Sequence, residues 1–439
     1  MPHPLTELRL EAVTRAPAPA VPELGADVCV VGAGIAGSTA AIEAARLGRR
    51  VVLVDSLPLI GGQMVHSLIG LFCGVFGNAP EYTQLTHGVF DDIFRDLSPS
   101  GDLHFARGHT TTVFYNEVAL GRWLERTVRD LGIQVVTGAV LLQAPVRDGR
   151  VESVTLATRY GDLRVRAGGY VDASGDAALT WQAGLPCWVP ERPVYGSQQV
   201  IVEHVDETRK PEMGEIDAAF ARRGEEFGLL RRGGLAFFFP GRGTAVLNVT
   251  HIDAPLDPVD AARAMFEGRD QADGAIALLR EEFPKAFGQA RVRAYGFPGR
   301  RQTRWIKGAH QLTVDEIRAG TRPGDAVART AWPVELHDRS DSYVWEMFGA
   351  DHVHYVPLRS MTPPGAHNLV AAGRCVDGDA AALSSVRVMG PCSAMGAAAA
   401  HALDLAAGQG NGDGSVHDID TGRLRERLAA NLGLNGGDG

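Results

Sequence analysis

The chain has 439 residues, enough for two domains or for one nucleotide domain carrying an inserted one. A formal net charge of −9, from 43 basic and 52 acidic side chains, argues against a nucleic-acid or anionic-membrane surface. Five cysteines without CxxC or metal-type spacing suggest neither a disulfide framework nor a zinc site, and they fit a reduced, cytoplasmic setting.

Residues 1–24 have no apolar h-region or cleavage-like end and are expected to be a flexible leader. Val28 to Val31 then form a continuous apolar run of the kind a strand buried on both faces requires. Gly32, Gly34 and Gly37 follow as G-x-G-x-x-G: a tight turn, a close backbone approach to a pyrophosphate, and a helix packed on a strand. An Ala-rich helix from Ile35 to Leu47 stops at Gly48. Its first amides, at Ile35 and Ala36, face the phosphate site. Val51 to Val54 make a second buried strand, and Asp55 ends it where a carboxylate accepts ribose hydroxyls, which excludes a 2′-phosphate there. These elements define a dinucleotide site and leave FAD and NAD to be separated. The apolar span Val28 to Ala45 is explained by this fold, so no membrane segment is expected.

Just past Asp55 and Ser56, Gly61 and Gly62 make a second glycine loop, followed by Gln63 and His66. A dinucleotide fold with this GG loop resembles the glutathione-reductase-like FAD flavoproteins, in which the loop approaches the pyrophosphate and ribityl chain. The resemblance implies FAD, with contacts from Gly32, Gly34, Ile35, Ala36, Gly37, Asp55, Ser56, Gly61, Gly62 and Gln63. Leu68 to Asn78 is too glycine-rich for a stable helix. Cys73 within it reads as a structural thiol, and His66 as a candidate for touching substrate or flavin.

Glu117 to Leu131 has helical spacing, and strands are expected to follow it. In the resembling proteins, backbone near the strand that corresponds to Gln134–Val140 contacts the adenine, which brings in Val140. VDASGD, with Ala173, Ser174, Gly175 and Asp176, resembles the (I/V)-D-A-(T/S)-G-D signature that closes over FAD. Between 185 and 364 no nucleotide signature appears; strands and two amphipathic helices within 257–287 suggest a mixed sheet that covers the flavin and forms the substrate pocket.

In that region, Arg301, Thr303, Arg304, Ile306, Gly308, Leu312 and Thr313 match the R-x-(S/T)-R-x-I-x-G-x-x-x-L-T motif of a large FAD-dependent oxidoreductase family, distantly related to fumarate reductase and succinate dehydrogenase flavoproteins. On a strand, Arg301 and Thr303 would share a face and Arg304 the other. Arg301 is a candidate for an anionic substrate or the flavin, or for an ion pair at a domain seam, and Arg304 fits the seam. His337, His352 and His354 imitate a metal site without a completing carboxylate or cysteine, so no metal is expected and His354 is kept as a substrate contact.

The last strong element runs from Asn368 to Leu403. Gly373 and Arg374 form the turn after a buried strand, and Gly390-Pro391 start an Ala-rich helix. In the resembling family this run, with Val388, Met389 and Ser393, binds the ribityl chain and points the helix start at the flavin C2 carbonyl.

The expected fold is α/β, a Rossmann-like FAD-binding domain built from both chain ends (25–184 and 365–439) with an inserted mixed α+β substrate domain (185–364). The expected function is an FAD-dependent oxidoreductase moving a hydride from a small organic substrate to flavin N5. The alternatives are an FAD-dependent monooxygenase, suggested by Gly378-Asp379-Ala380-Ala381, and a non-catalytic flavin-binding protein. Partners are expected to be a small molecule, with no nucleic acid and no membrane; the reading allows a homo-oligomer.

Overall fold

The computed structural model describes residues 10–14, 20–409 and 413–434. The expected leader falls largely outside them, and its last residues, Glu23 and Leu24, already belong to the first strand, β1 (Glu23–Val31). That strand starts early because Glu23 to Ala26 have a ready partner in Arg164 to Ala167.

A helix, α1 (Ile35–Arg46), and a second strand, β2 (Val51–Val54), complete the first βαβ unit. All four residues of β2 are buried. In the seven-stranded sheet, 134–136 pairs with β2, β2 with β1, and β1 with the twelve-residue strand Gly161–Asp172. These pairings are parallel. The twelve-residue strand uses its other edge twice. Its first half pairs antiparallel with Val154–Thr158, and its last three residues pair parallel with Leu369–Ala371 from the far end of the chain.

That late strand leads into the helix Met389–Ala407, which lies on α1. Small residues permit the approach: a Cβ at Gly396 would collide with the Ala36 carbonyl, and Thr39 Oγ1 meets Ser393 Oγ at 2.9 Å. The helix begins at Met389, two residues before Pro391, and continues four residues past the expected end at Leu403. One buried core therefore joins the two ends of the chain, as the Rossmann-like expectation requires.

The inserted part has its own antiparallel sheet, in the order 235–239, 244–248, 200–203, 291–295. A separate core of Phe220, Leu247, Leu279 and Phe287 sits between this sheet and its helices. The two helices expected within 257–287 are one 25-residue helix, Pro258–Glu282, and a single turn, Pro284–Phe287. Gly268 and Gly274, which look like breaks, are close-approach positions: added side-chain carbons would meet Gln198 and the Phe227 carbonyl. Asp257 caps the long helix by accepting from the Val259 and Asp260 amides. Among the described residues, no helix is long and apolar enough to cross a membrane.

Candidate active site

A cavity of about 1040 Å³ runs from the β1–α1 turn to the inner face of the second sheet. Its nucleotide end is shaped by missing side chains. Gly32, at φ +104°, has the Ala173 carbonyl where a Cβ would go, and Gly37 has the Gly32 carbonyl. Gly34 differs, because a Cβ there would meet nothing within 4 Å; its open side is the cavity. α1 begins here without a side-chain cap, so its first amides at Ile35 and Ala36 line an anion-binding wall.

Asp55 stands beside that wall, 8% exposed. Its carboxylate accepts from the Ala33 amide at 2.6 Å and the Leu57 amide at 2.8 Å. Burial raises its pKa against these bonds. Gly62, at φ +50°, packs against the Gly34 backbone and brings the second loop onto the first. Asp172, fully buried, accepts from Ser174 Oγ at 2.6 Å and from Thr180 N and Oγ1 at 2.8 Å, which sets the bend that carries Ala173 to Asp176 onto the cavity wall.

At the middle, Gly390 N–H donates to the Cys73 carbonyl and Pro391 has no N–H, while Val388 and Met389 at the start of this helix line the cavity. A long cradle of turn backbone, a helix start at each end and a buried carboxylate fit an extended dinucleotide. These residues fit FAD, which when bound would supply two-electron redox chemistry.

Beyond the cradle the wall changes character. Trp332, Tyr343 and Trp345 form an aromatic side, with Trp332 and Trp345 edge to face at 5.7 Å. Arg301 and Arg387 line the same end. Arg301 donates to the Tyr195 carbonyl at 2.6 Å and Ser197 Oγ at 3.0 Å, and burial together with Arg387 brings its pKa down to about 9. Glu335 is the carboxylate among these groups: it accepts from Trp332 Nε1 at 3.1 Å and faces His337 Nε2 at 3.0 Å. Burial opposes its charge, but the His337 contact and the arginines Arg387 and Arg301 hold it below the ordinary carboxylate range.

Of the residues expected from sequence, the cavity wall gathers Gly32, Gly34, Ile35, Ala36, Asp55, Ser56, Gly62, Gln63, Ala173, Ser174, Gly175, Asp176, Gly373, Arg374, Val388 and Met389, together with Arg301 and His66. His66 Nε2 pairs with the Ile60 carbonyl at 2.9 Å. Gly37, Gly61, Ser393, Val140 and His354 lie off that wall. Gly37 and Ser393 hold α1 against its neighbours, and Gly61, at φ +114°, starts the short helix 62–66. Val140 is 56% exposed on a sheet edge. His354 is fully buried, with Nε2 at 2.8 Å from Ser385 Oγ and Nδ1 at 3.2 Å from His352.

The strand expected across Arg301–Arg304 is replaced by irregular chain, with only Trp305 and Ile306 in a strand. Arg301 is held by Tyr195, while Thr303 and Arg304 share Asp176, Thr303 through its carboxylate and Arg304 through its carbonyl, with Arg304 also over the Trp181 ring. Asp379 of the Gly378–Ala381 turn caps the helix Ala380–Val386 and does not line the cavity. Among the described residues, no group of three or more His, Cys, Asp or Glu is placed to hold a metal. Glu335, Tyr343, Trp332 and His251 carried no local signal, since each belongs to an ordinary-looking segment.

A flavin cradle joined to a covered, aromatic-walled cavity defines a flavoprotein oxidoreductase. The chain belongs to the FAD dependent oxidoreductase family, whose model matches residues 27–428. It is 28% identical over 140 residues to protein FixC of Escherichia coli strain K12, a match that covers 29% of this chain and 32% of FixC. The chain thus aligns with about a third of that curated relative. A geranylgeranyl bacteriochlorophyll reductase-like structure from Thermoplasma acidophilum shares the fold at a TM-score of 0.51 and 15% identity, covering 93% of this chain and 86% of the other. The flavin-dependent brominase Bmp2 is similar at a TM-score of 0.47 and 14% identity, over 92% and 83% of the two chains.

Proposed function

We propose that the protein is an FAD-dependent monooxygenase for a small, flat, anionic aromatic molecule, and we place this ahead of hydride transfer from substrate to flavin N5. One observation carries the reading: the end of the cavity beyond the cradle pairs an aromatic side of Trp332, Tyr343 and Trp345 with the guanidiniums of Arg301 and Arg387. Rings stack on such a wall, and guanidiniums hold carboxylate or phenolate oxygens by paired donors. An aromatic anion is electron-rich and suited to accept an oxygen atom, whereas its ring carbons offer no hydride.

Family membership makes the chain an FAD enzyme, against the non-catalytic alternative. Within it, we assign FAD to the residues on the cavity wall named above, with the domain limits at 184/185 and 364/365 and a kinship to the glutathione-reductase-like and fumarate-reductase flavoproteins. A cytoplasmic location and a small-molecule partner belong to the same proposal. The test is a screen of hydroxylated aromatic acids with reduced pyridine nucleotide under labelled dioxygen. The expected result is one labelled oxygen atom in the product. Anaerobic bleaching of the flavin by substrate alone, without reduced pyridine nucleotide, would turn the reading to a dehydrogenase.

A further inference from the structure

We propose that Glu335, His337 and His251 form a proton store that accepts the hydroxyl proton of the substrate; this deepens, and rests on, the reading of the cavity as the site of an aromatic anion. The three side chains make an unbroken line inward from the cavity. Glu335 lines it, with 18% of its side chain exposed, while His337 and His251 are 1% and 0% exposed. Glu335 Oε1 lies 3.0 Å from His337 Nε2, His337 Nδ1 lies 2.9 Å from His251 Nε2, and His251 Nδ1 lies 2.9 Å from the Ser340 carbonyl.

Both ends of this line are acceptors, a carboxylate and a carbonyl. Three contacts therefore take three protons, and two neutral imidazoles bring two. Until a third arrives, one contact sets lone pair against lone pair, which is costly in a buried site. The carbonyl at the inner end has no proton to pass on, so the line stores a proton and does not conduct one outward.

The surroundings keep the third place open at rest. Arg231, Arg301 and Arg387 all bear on this cluster, and burial followed by these guanidiniums presses both imidazoles toward neutrality. Tyr343 is stacked on His337 at 4.6 Å and Tyr195 on His251 at 5.7 Å, which fixes the ring planes. Arg231 lies over the Tyr343 ring at 5.0 Å, Trp332 donates to Glu335, and Asp341 faces His251. Arg231 Nε and Arg387 Nε are buried without partners.

In the step itself, the substrate O–H bond breaks heterolytically. Its proton enters the line at Glu335 and the protons already there shift inward until all three contacts carry one, its electron pair stays on the substrate oxygen, and the resulting anion lies beside Arg301 and Arg387. No electrons leave the pair of molecules.

The probe is 4-nitrophenol, whose ionised form is coloured, titrated into the protein at a pH where the free probe is mostly neutral. The expected result is bound coloured phenolate with no proton released, seen as a binding heat that does not depend on the buffer's ionisation heat. In Glu335→Gln the bound probe stays neutral or releases one proton to the buffer. A variant-free reading comes from nitrogen NMR of labelled histidines, where two imidazole signals move to a shared-proton position on binding. Release of one proton by the wild-type protein, a variant with the same proton balance, or histidine signals that stay in place would each overturn the proposal. Loss of flavin chemistry is a separate result: protein that binds no FAD on reconstitution sinks the monooxygenase reading, while the proton count is read with or without flavin.

Discussion

The guanidinium of Arg374 occupies the space in which a side chain at Gly175 would stand, and Gly175 holds φ +79°. The two residues lie far apart in the chain, and Arg374 also reaches the Arg301 carbonyl at 3.4 Å and Asp176 at 3.5 Å.

Gly175→Ala therefore meets both backbone strain and a steric clash. The expected loss is about 1–3 kcal/mol of stability, with lower flavin occupancy. Adding Arg374→Ala relieves only the steric part, so the two changes couple by about 0.5–3 kcal/mol in denaturant unfolding. Strict additivity would show that the guanidinium does not fill that space.

Gly34 and Gly37 separate two uses of glycine. Gly34→Ala adds a methyl into the cavity, at an extended φ of −73° that any residue adopts. Stability should stay within about 0.5 kcal/mol of the parent while FAD affinity falls. Gly37→Ala drives a methyl into the Gly32 carbonyl and should unfold the cradle itself. Thermal melts of the flavin-free proteins, set beside flavin titrations, distinguish the two.

Asp172 holds the 172–176 bend through hydrogen bonds from Ser174 and Thr180. Asp172→Asn turns an amide N–H₂ toward buried donors, at a cost of at least about 2 kcal/mol. A denaturant midpoint unchanged from the parent would contradict that role.

Acid should destabilise the protein through its buried imidazoles. Burial presses His251 and His354 down to about 3, and His337 moves the same way. The unfolded chain, with imidazoles near about 6.5, binds protons that the folded chain refuses. The stability is fully present above that value and is lost as pH falls from it toward the folded values. Each group contributes about 1.4 kcal/mol per pH unit over that range. Melting curves between neutral and mildly acidic pH should show a steep decline, made shallower in His354→Gln; a flat profile would mean these rings are charged in the native state.

The thiols should be silent in the native protein. Burial pushes Cys29 and Cys392 up to about 12, Cys187 to about 11, and Cys73 and Cys375 well above the ordinary value. A thiolate is the reactive form, so mass spectrometry after a thiol reagent should find modification only after denaturation. Rapid labelling of native Cys73, which lines the cavity, would show a reactive thiol there.

The cradle end of the cavity is written locally. A turn that needs φ +104° at Gly32, an open side at Gly34 and a close contact at Gly37 leaves a fixed spacing in the chain, and Asp55 follows at the end of the next strand. Asp172 to Asp176, Gly373 and Arg374 are picked out by their resemblance to a family signature, with tight bends the physical reason that so few residues fit there. Val140 and His354 lie off the cavity wall, and their exposure on a sheet edge and burial beside Phe348 depend on neighbours that no spacing records.

By itself, then, the sequence determined the α/β fold and the glycine turns of the cradle, since backbone conformation and close packing constrain residues near one another in the chain, whereas the joining of the two chain ends followed from the resemblance to a known family. Only the tertiary structure decided the end of the cavity beyond the cradle. Arg231, His251, Glu335 and Arg387 stand in separate segments, and each looks like an ordinary surface or core residue in its own stretch of chain, while Arg301 stands out through its motif but not through its neighbours. Their proximity, and the count of protons among them, comes from long-range packing and leaves no local pattern to read.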